Sequence, residues 1–198
     1  TRRIETALDR GRAMNAEIRT DMDTWLKYHG ALLMPSLAPA LYMCGTDHKR
    51  LARTRDAVVL TVRAVREGFR VLMDLGLPIT PPRFRLFMWL PEPVLVFALR
   101  RLIAHEAMEV ALVRHAESAR DEVKHLTNEF LALAGESEVP IPTIKRLYPH
   151  LALDAPQIEE GSREIPMQWG GVLSAGLLAA GLTLGLWLLR RVARRAQE

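Results

Sequence analysis

The stretch "HKRLARTRDAVVLTVRAVREGFRVLMDLGLPITPP", residues 48–82, runs as one helical pattern and stops at a cluster of prolines. Its apolar residues recur three and four positions apart, which is the spacing of one face of an α-helix. It therefore predicts a helix from about His48 to Leu75. Gly76 can end that helix, and the three prolines that follow cannot continue it.

The rest of the chain repeats this pattern of helical stretches separated by glycine and proline. Few runs alternate between apolar and polar residues as a strand would, and the prolines cluster between the helical stretches. We therefore predict an all-α fold, a helical bundle. In "CGTD" (residues 44–47), Gly45 stops one helix and Thr46 or Asp47 caps the next. Further helices are predicted at residues 4–19, 21–43, 83–90, 93–104 and 107–134, with a short last helix in "TIKRLYPHL" (143–151).

Composition limits the classes of function. The 198 residues are 49% hydrophobic and 25% charged, which suits one globular core. Cys44 is the only cysteine, so the chain can form no intramolecular disulfide or cysteine-rich zinc site, and a reducing compartment fits best. The net charge of +4 does not indicate nucleic-acid binding, because four arginines at the extreme C-terminus supply it. They are Arg190, Arg191, Arg194 and Arg195.

A long apolar stretch lies near the C-terminus. Residues 169–189, "WGGVLSAGLLAAGLTLGLWLL", are uncharged, and about 20 such residues cross a bilayer. Trp169 and Trp187 lie where interfacial tryptophans are expected, and the arginines follow directly. We predict a helical domain over residues 1–151, a polar linker at 152–164, and a transmembrane helix with a basic tail at 165–198. The alternative is a buried helix of the core.

Several common sites are missing from the sequence. It contains neither G-x-G-x-x-G nor G-x-x-x-x-G-K-[ST], so we expect no nucleotide site in this chain. Its six histidines form no H-E-x-x-H or other compact ligand pattern, so no metal site is predicted. Acids and histidines recur at helical spacing in "HEAMEVALVRHAESARDE" (105–122), which is typical of a solvated helix face.

Three blocks occur in an order that resembles the C-terminal helical domain of the ketopantoate reductase family. They are "DMDTWLKYHGALLMPSLAPALY" (21–42), "AVREGFRVLMDLGLPITP" (64–81) and "ARDEVKHLTNEFLALAGESEVPIPTIKRLY" (119–148). The resemblance covers about residues 1–150. It implies a two-domain oxidoreductase in which an upstream Rossmann domain binds NADPH. The helical domain would close over it, bind a small 2-oxo acid, and contribute to a homodimer.

The resemblance also implies roles for three residues. Lys27, in "W-x-K", matches the family's general acid and substrate anchor, and Glu122, in "ARDEV", matches the glutamate that binds the substrate hydroxyl. Glu67 is a weaker match to a glutamate that lines the substrate cleft. Hydride transfer to a ketone builds negative charge on its oxygen, which a nearby ammonium group can stabilise and protonate. His29, two residues beyond the lysine, is predicted to pack within the helix.

Two departures from the family pattern leave two functions open. Ala31 and Pro35 stand where family members carry asparagines on the face of the lysine. The chain is then either a reductase domain with another 2-oxo acid or ketone as substrate, or a membrane-anchored, non-catalytic helical interaction module. Because it begins at Thr1, we expect residues to precede it. With no visible signal peptide, the domain is predicted to be cytoplasmic, although arginines after a span favour a cytoplasmic C-terminus.

Overall fold

A computed structural model describes residues 22–113, 116, 119–169 and 171. These residues form an all-α fold, and no strand occurs among them, as predicted. The helix predicted at 4–19 and nearly all of the apolar stretch 169–189 lie outside the described residues. The α-helices are α1 (Met22–Leu32), α2 (Ala38–Met43), α3 (His48–Arg53), α4 (Arg55–Asp74), α5 (Leu86–Trp89), α6 (Glu92–Ile103), α7 (Arg120–Ala134) and α8 (Pro142–Leu147). Shorter turns are the π turns Leu33–Leu37 and Glu109–Val113 and the 3-10 turns Pro82–Arg85 and Tyr148–Leu151.

Helix α4 is the centre of the bundle. Within the described part of the chain it contacts all seven other α-helices. Most of its residues are buried, on every side of the helix. Most of the surrounding helices therefore bury apolar residues against α4, whereas α5 contacts it without a buried residue.

Helices α1, α4 and α7 meet most closely at Gly68. A Cβ added to Gly68 would lie 3.2 Å from the Cβ of Ala31 and 3.4 Å from Cζ of Phe130. Because Gly68 has no side chain, the backbones of these helices can lie close together here. Next to this point Tyr28 is fully buried, packs edge-on against Phe69 with centroids 5.0 Å apart, and donates a 2.9 Å hydrogen bond to the Leu77 carbonyl.

The glycines predicted to end two helices and one of the two predicted N-caps are confirmed. Gly45 and Gly76 both have positive φ angles, 73° and 79°, at the ends of α2 and α4. Asp47 caps α3, because its Oδ1 accepts hydrogen bonds of 2.7 and 3.0 Å from the Lys49 and Arg50 N–H groups. Thr46, the other predicted cap, has a φ of 60° and does not cap the helix.

The predicted helix 21–43 contains a π turn between α1 and α2. Pro35 has no N–H to donate and its ring crowds the carbonyl of Ala31. The hydroxyl of Ser36 takes the place of the missing N–H donor, because its Oγ donates to the carbonyls of Ala31, at 3.2 Å, and Leu32. The helix continues across the proline with a wider turn.

Two predicted helices are interrupted, and in both cases a distant contact is responsible. The predicted 48–75 helix breaks at Thr54, whose φ and ψ are −87° and 96° and whose hydroxyl accepts the Gly161 N–H. The predicted 107–134 helix breaks before α7, where Ala119 leaves the helical region. There the Tyr42 hydroxyl donates to the Ala116 carbonyl at 2.9 Å, and Arg120 stacks on the Tyr42 ring at 3.7 Å.

The segment predicted as a polar linker lies against the domain. We call residues 157–168 the C-terminal strap. The Ile158 N–H donates to Met43 O at 3.0 Å, and the Gln168 N–H donates to a carboxylate oxygen of Glu92 at 2.9 Å. Arg63 donates to the Pro166 carbonyl at 2.7 Å. The strap therefore crosses α2, α4 and α6 along its length.

Asp56 and Glu92 are the two buried carboxylates that hold the strap. Asp56 accepts hydrogen bonds from the Ser162 hydroxyl and the Glu164 N–H, both 2.6 Å, and from the Ile165 N–H at 3.2 Å. Burial alone would raise the pKa of Asp56, but these bonds outweigh burial and hold the pKa below its ordinary 3.8.

Glu92 is held in the same way. Burial alone would raise its pKa, but two hydrogen bonds from Arg63, at 2.8 and 2.9 Å, and one from the Gln168 N–H keep the pKa below its ordinary 4.5. Both carboxylates therefore bind the strap in their charged forms.

We expect the strap to loosen in acid. A carboxylate whose pKa is lowered by folding stabilises the protein fully above its unfolded-state pKa and stops doing so as the pH falls through the folded pKa. Asp56→Asn should lower the free energy of unfolding at pH 7 by about 1–3 kcal/mol and weaken its dependence on pH below about 4. Urea unfolding between pH 3 and 7 measures both. Asp154→Asn, at an exposed position, is the control, and an equal pH dependence in both variants would contradict the assignment.

We expect the close approach at Gly68 to reject a larger side chain. Gly68→Leu should lower the free energy of unfolding by about 1–3 kcal/mol, because the added side chain would overpack the contact with α1 and α7. Gly30→Ala is the matched control on α1. A Cβ there would meet nothing within 4 Å, so this variant should gain about 0.5–1 kcal/mol from helix propensity. Opposite signs in thermal or urea unfolding are the expected result.

Candidate functional site

An open cavity of about 640 Å³ lies between α1 and α7. Leu72 of α4 also lines it, and most of its surface is apolar. This composition is typical of ligand pockets, which combine apolar walls with a few polar groups. The polar or charged residues that line it are Asp23, Lys27, His29 and Glu129, and the others are Trp25, Leu26, Gly30, Ala31, Leu33, Met34, Leu72, Leu126, Phe130 and Leu133.

Lys27 lies at this cavity, on α1. Its side chain is 39% exposed, and Nζ lies 2.8 Å from Oδ2 of Asp23 one turn earlier. Among the described residues Asp23 is its one hydrogen-bond partner. An exposed pair of this kind is weak, and an ammonium group has three N–H donors. Lys27 can therefore turn to a bound anion or carbonyl oxygen without breaking a strong interaction.

Glu122 does not line the cavity. It lies exposed in the first turn of α7, on the same side as Leu126 and Glu129, which follow it by four and seven residues and do line the cavity. The structure thus brings Lys27 and Glu129 to one cavity and leaves Glu122 beyond its edge. Glu129 was not singled out from the sequence, although helical spacing from Glu122 could have identified it. Its Oε1 lies 3.3 Å from Nε2 of His125.

Glu67 has a structural role in place of the predicted substrate contact. It is 6% exposed, and its carboxylate accepts hydrogen bonds of 2.9–3.0 Å from the Thr143 and Ile144 N–H groups. These are free donors in the first turn of α8, and a carboxylate there also complements the helix dipole. The structure therefore gives Glu67 a capping role and does not place it in this cavity.

His29 packs as predicted. Its ring lies 3.7 Å from the Trp25 ring and 4.9 Å from the Phe84 ring, centroid to centroid, and Nδ1 lies 2.9 Å from the Trp25 carbonyl oxygen. One ring nitrogen is thus engaged by its own helix. With Trp25, it forms an aromatic wall of the cavity.

Ala31 and Pro35, the two positions where the resemblance predicts asparagines, are both buried. Ala31 is fully buried against Gly68, and Pro35 is buried in the π turn. Ala31 also borders the cavity. The structure therefore has small, buried apolar residues where the resemblance predicts amides.

The described residues show neither a metal site nor a membrane-spanning helix. In the described part of the chain, no three His, Cys, Asp or Glu side chains come together as a set of metal ligands. None of the described helices has the length and apolar character needed to cross a bilayer. The span predicted at 169–189 falls almost entirely beyond these residues.

We expect substitutions of the two predicted glutamates to change the free energy of unfolding by different amounts. Glu67→Gln should lower the free energy of unfolding by about 1–3 kcal/mol, because a charge-assisted cap becomes a neutral one. Glu122→Gln changes an exposed side chain and should stay within about 0.5 kcal/mol of the parent. Urea unfolding at pH 7 tests both. Equal effects would mean that Glu67 does not carry the α8 cap.

Comparison of the chain with protein-family models, curated proteins and solved structures finds no match. The site is therefore defined by its own geometry. It consists of the Lys27 ammonium group at an apolar cavity, with the Glu129 carboxylate on the facing helix.

Proposed function

We propose that this chain is the substrate-binding helical domain of an NADPH-dependent 2-oxo acid reductase that resembles ketopantoate reductase. The observation that carries the proposal is the position of Lys27, a lightly held ammonium group at an apolar cavity of about 640 Å³. The three sequence blocks support it, because two of them supply the facing walls of that cavity, α1 and α7. NADPH would be bound mainly by an upstream Rossmann domain, since this chain carries no dinucleotide fingerprint.

The chemistry follows from the charges at the cavity. Bound NADPH would supply the hydride to the carbonyl carbon. Lys27 would pair with the developing negative charge on the carbonyl oxygen and donate a proton to it, giving the 2-hydroxy acid. The apolar walls around Trp25 and Leu126 would exclude water and strengthen this interaction. Glu122, one turn beyond the cavity edge on α7, would accept a hydrogen bond from a substrate hydroxyl where the upstream domain closes on this face.

The cavity lining also favours a substrate class. Lys27 is the one lining residue that carries a full positive charge, and Asp23 and Glu129 would repel further acid groups. We therefore expect a monocarboxylic 2-oxo acid, or a ketone, with an apolar substituent to occupy the walls. The domain would act in the cytoplasm, where NADPH is available, as part of a homodimer anchored through residues 169–189.

A second candidate is a non-catalytic helical interaction module attached to the membrane. Two observations favour it. Ala31 and Gly68 pack where the family pattern places a supporting amide, and Glu122 does not reach the cavity that Lys27 lines. Such a module would keep the bundle and the apolar cavity without the reaction.

We expect Lys27→Ala to abolish most of the reductase activity. In protein produced from the complete gene, NADPH oxidation would be followed with a panel of small 2-oxo acids. The variant should lower kcat/KM by about 10²-fold or more, because a general acid contributes at least that much. Lys124→Ala, an exposed lysine of α7, is the matched control and should leave kcat/KM unchanged.

The outcomes separate the two candidates. NADPH oxidation that survives Lys27→Ala would show that Lys27 is not the general acid. If the complete protein binds no NADPH, as measured by the change in its fluorescence on mixing, the reductase function is excluded and the interaction module is favoured.

A further inference from the structure

Helices α5 and α6 present a row of large apolar side chains to the outside of the bundle. Trp89 is 83% exposed and Phe97 is 66% exposed. We call this row the α5–α6 surface, and it consists of Leu86, Trp89, Val94, Phe97 and Leu102. Single exposed apolar residues are ordinary on a protein, but five large ones on two consecutive helices point to an interaction site.

The inner face of α6 is already used for packing. Leu95, Val96 and Ile103 are buried and face the core. Val94 and Phe97, three residues apart, share one outer face of α6, and Leu102 is exposed farther round the helix. A surface helix normally carries polar residues at such positions. A helix with apolar residues on two faces usually packs against other groups on both of them. The fold therefore leaves one apolar face of α6 for something outside the described residues.

The stretch of chain that carries this surface is basic. Glu92 is the only acidic residue between Leu75 and His105, and it is 2% exposed and bound by Arg63. The first acidic residue after this stretch, Glu106, is paired with Lys49. The same stretch contains four arginines, of which Arg83, Arg85 and Arg101 are exposed. Aromatic and aliphatic side chains flanked by arginines are typical of surfaces that lie in the interface of an anionic membrane.

The position of the C-terminal strap supplies an independent indication. Its last residue, Gln168, donates a hydrogen bond to Glu92 at the start of α6. A Cβ on Gly171 would lie 3.6 Å from Cα of Pro91, so the chain reaches the junction of α5 and α6 there. Trp169, between them, is 57% exposed. The uncharged residues 172–189 thus start beside the α5–α6 surface.

We propose that the α5–α6 surface lies on the membrane, with Trp89 and Phe97 at the boundary between headgroups and acyl chains and Arg85 and Arg101 against lipid phosphates. A bilayer fits better than a protein partner because the apolar row, the arginines and the start of the apolar stretch 172–189 all occur on this one side. The proposal does not depend on reductase activity. It gives the domain a defined orientation on the lipid surface, beyond a tether at its C-terminus.

The test uses the full chain in vesicles of phosphatidylcholine and phosphatidylglycerol. Phe97→Cys is labelled with an environment-sensitive fluorophore, and the same vesicles are prepared with acyl chains brominated near the headgroup. Native Cys44 stays unlabelled because it is fully buried, and burial raises the pKa of its thiol to about 12. We expect the label at position 97 to emit at shorter wavelength and to be quenched by the brominated lipid.

Leu153→Cys is the matched control. Leu153 is also apolar and is 87% exposed. It follows the 3-10 turn Tyr148–Leu151, which packs on α2, α7 and α8, away from α5 and α6. Its label should emit as in water and remain unquenched. Adding Arg85→Glu and Arg101→Glu to the Phe97→Cys variant should reduce the quenching, because the arginines would no longer hold the surface to anionic lipid.

Each other outcome overturns the proposal. A water-like, unquenched label at position 97 would show that the surface faces solvent. A blue-shifted label that brominated lipid does not quench would show that a second copy or another protein covers it. Equal quenching at positions 97 and 153 would show that the domain has no fixed orientation, and a chain that fails to float with the vesicles would exclude membrane contact altogether. Circular dichroism of each variant checks that the helices are retained.

Discussion

The charged side chains that are buried along α4 need partners, because this helix lies among all the others of the described bundle. Each partnership ties a different segment to the centre. Asp56 holds the C-terminal strap, Arg63 binds Glu92 at the start of α6, and Glu67 caps α8. Arg66 donates to the carbonyls of Phe87 and Leu90, at the end of α5. A buried unpaired charge costs several kcal/mol, so these contacts determine which segments can surround α4.

The cavity is a consequence of the same packing. Side chains of α1 and α7 line this space, and Ala31 and Phe130, which meet α4 at Gly68, are among them. Lys27 lies at that space because the turn that carries it, between Asp23 and Ala31, follows the wall of the cavity. The same helix contact buries Ala31, one of the two positions where the resemblance predicts an asparagine. A cation without the expected amides beside it is compatible with both proposed functions.

Much of the fold could be predicted from local chemistry. Helical periodicity identified the helices, and Gly76 and the prolines after it identified the end of α4. Asp47 was one of two caps considered. The site was harder to predict. The sequence singles out Lys27, which lies at the cavity, and Glu67, which caps α8, because a glutamate in a helix looks the same in sequence whether it faces a cleft or caps a distant helix. Glu129 has helical spacing from Glu122, but only the packing of α1 against α7 brings it to the cavity.

By itself, the sequence determined an all-α chain with most of its helix boundaries, because hydrogen bonding and burial within a helix act over three or four residues. Tertiary structure alone decided the breaks at Thr54 and Ala119, the seating of the strap on Asp56 and the position of Glu122 beyond the cavity. In each case the deciding partner is distant in the chain or on another helix, such as Gly161 for Thr54 or Tyr42 for the residues before α7. Contacts over such distances leave no periodic mark in the sequence, since each pairs a single hydroxyl group with a backbone group that almost any residue could supply.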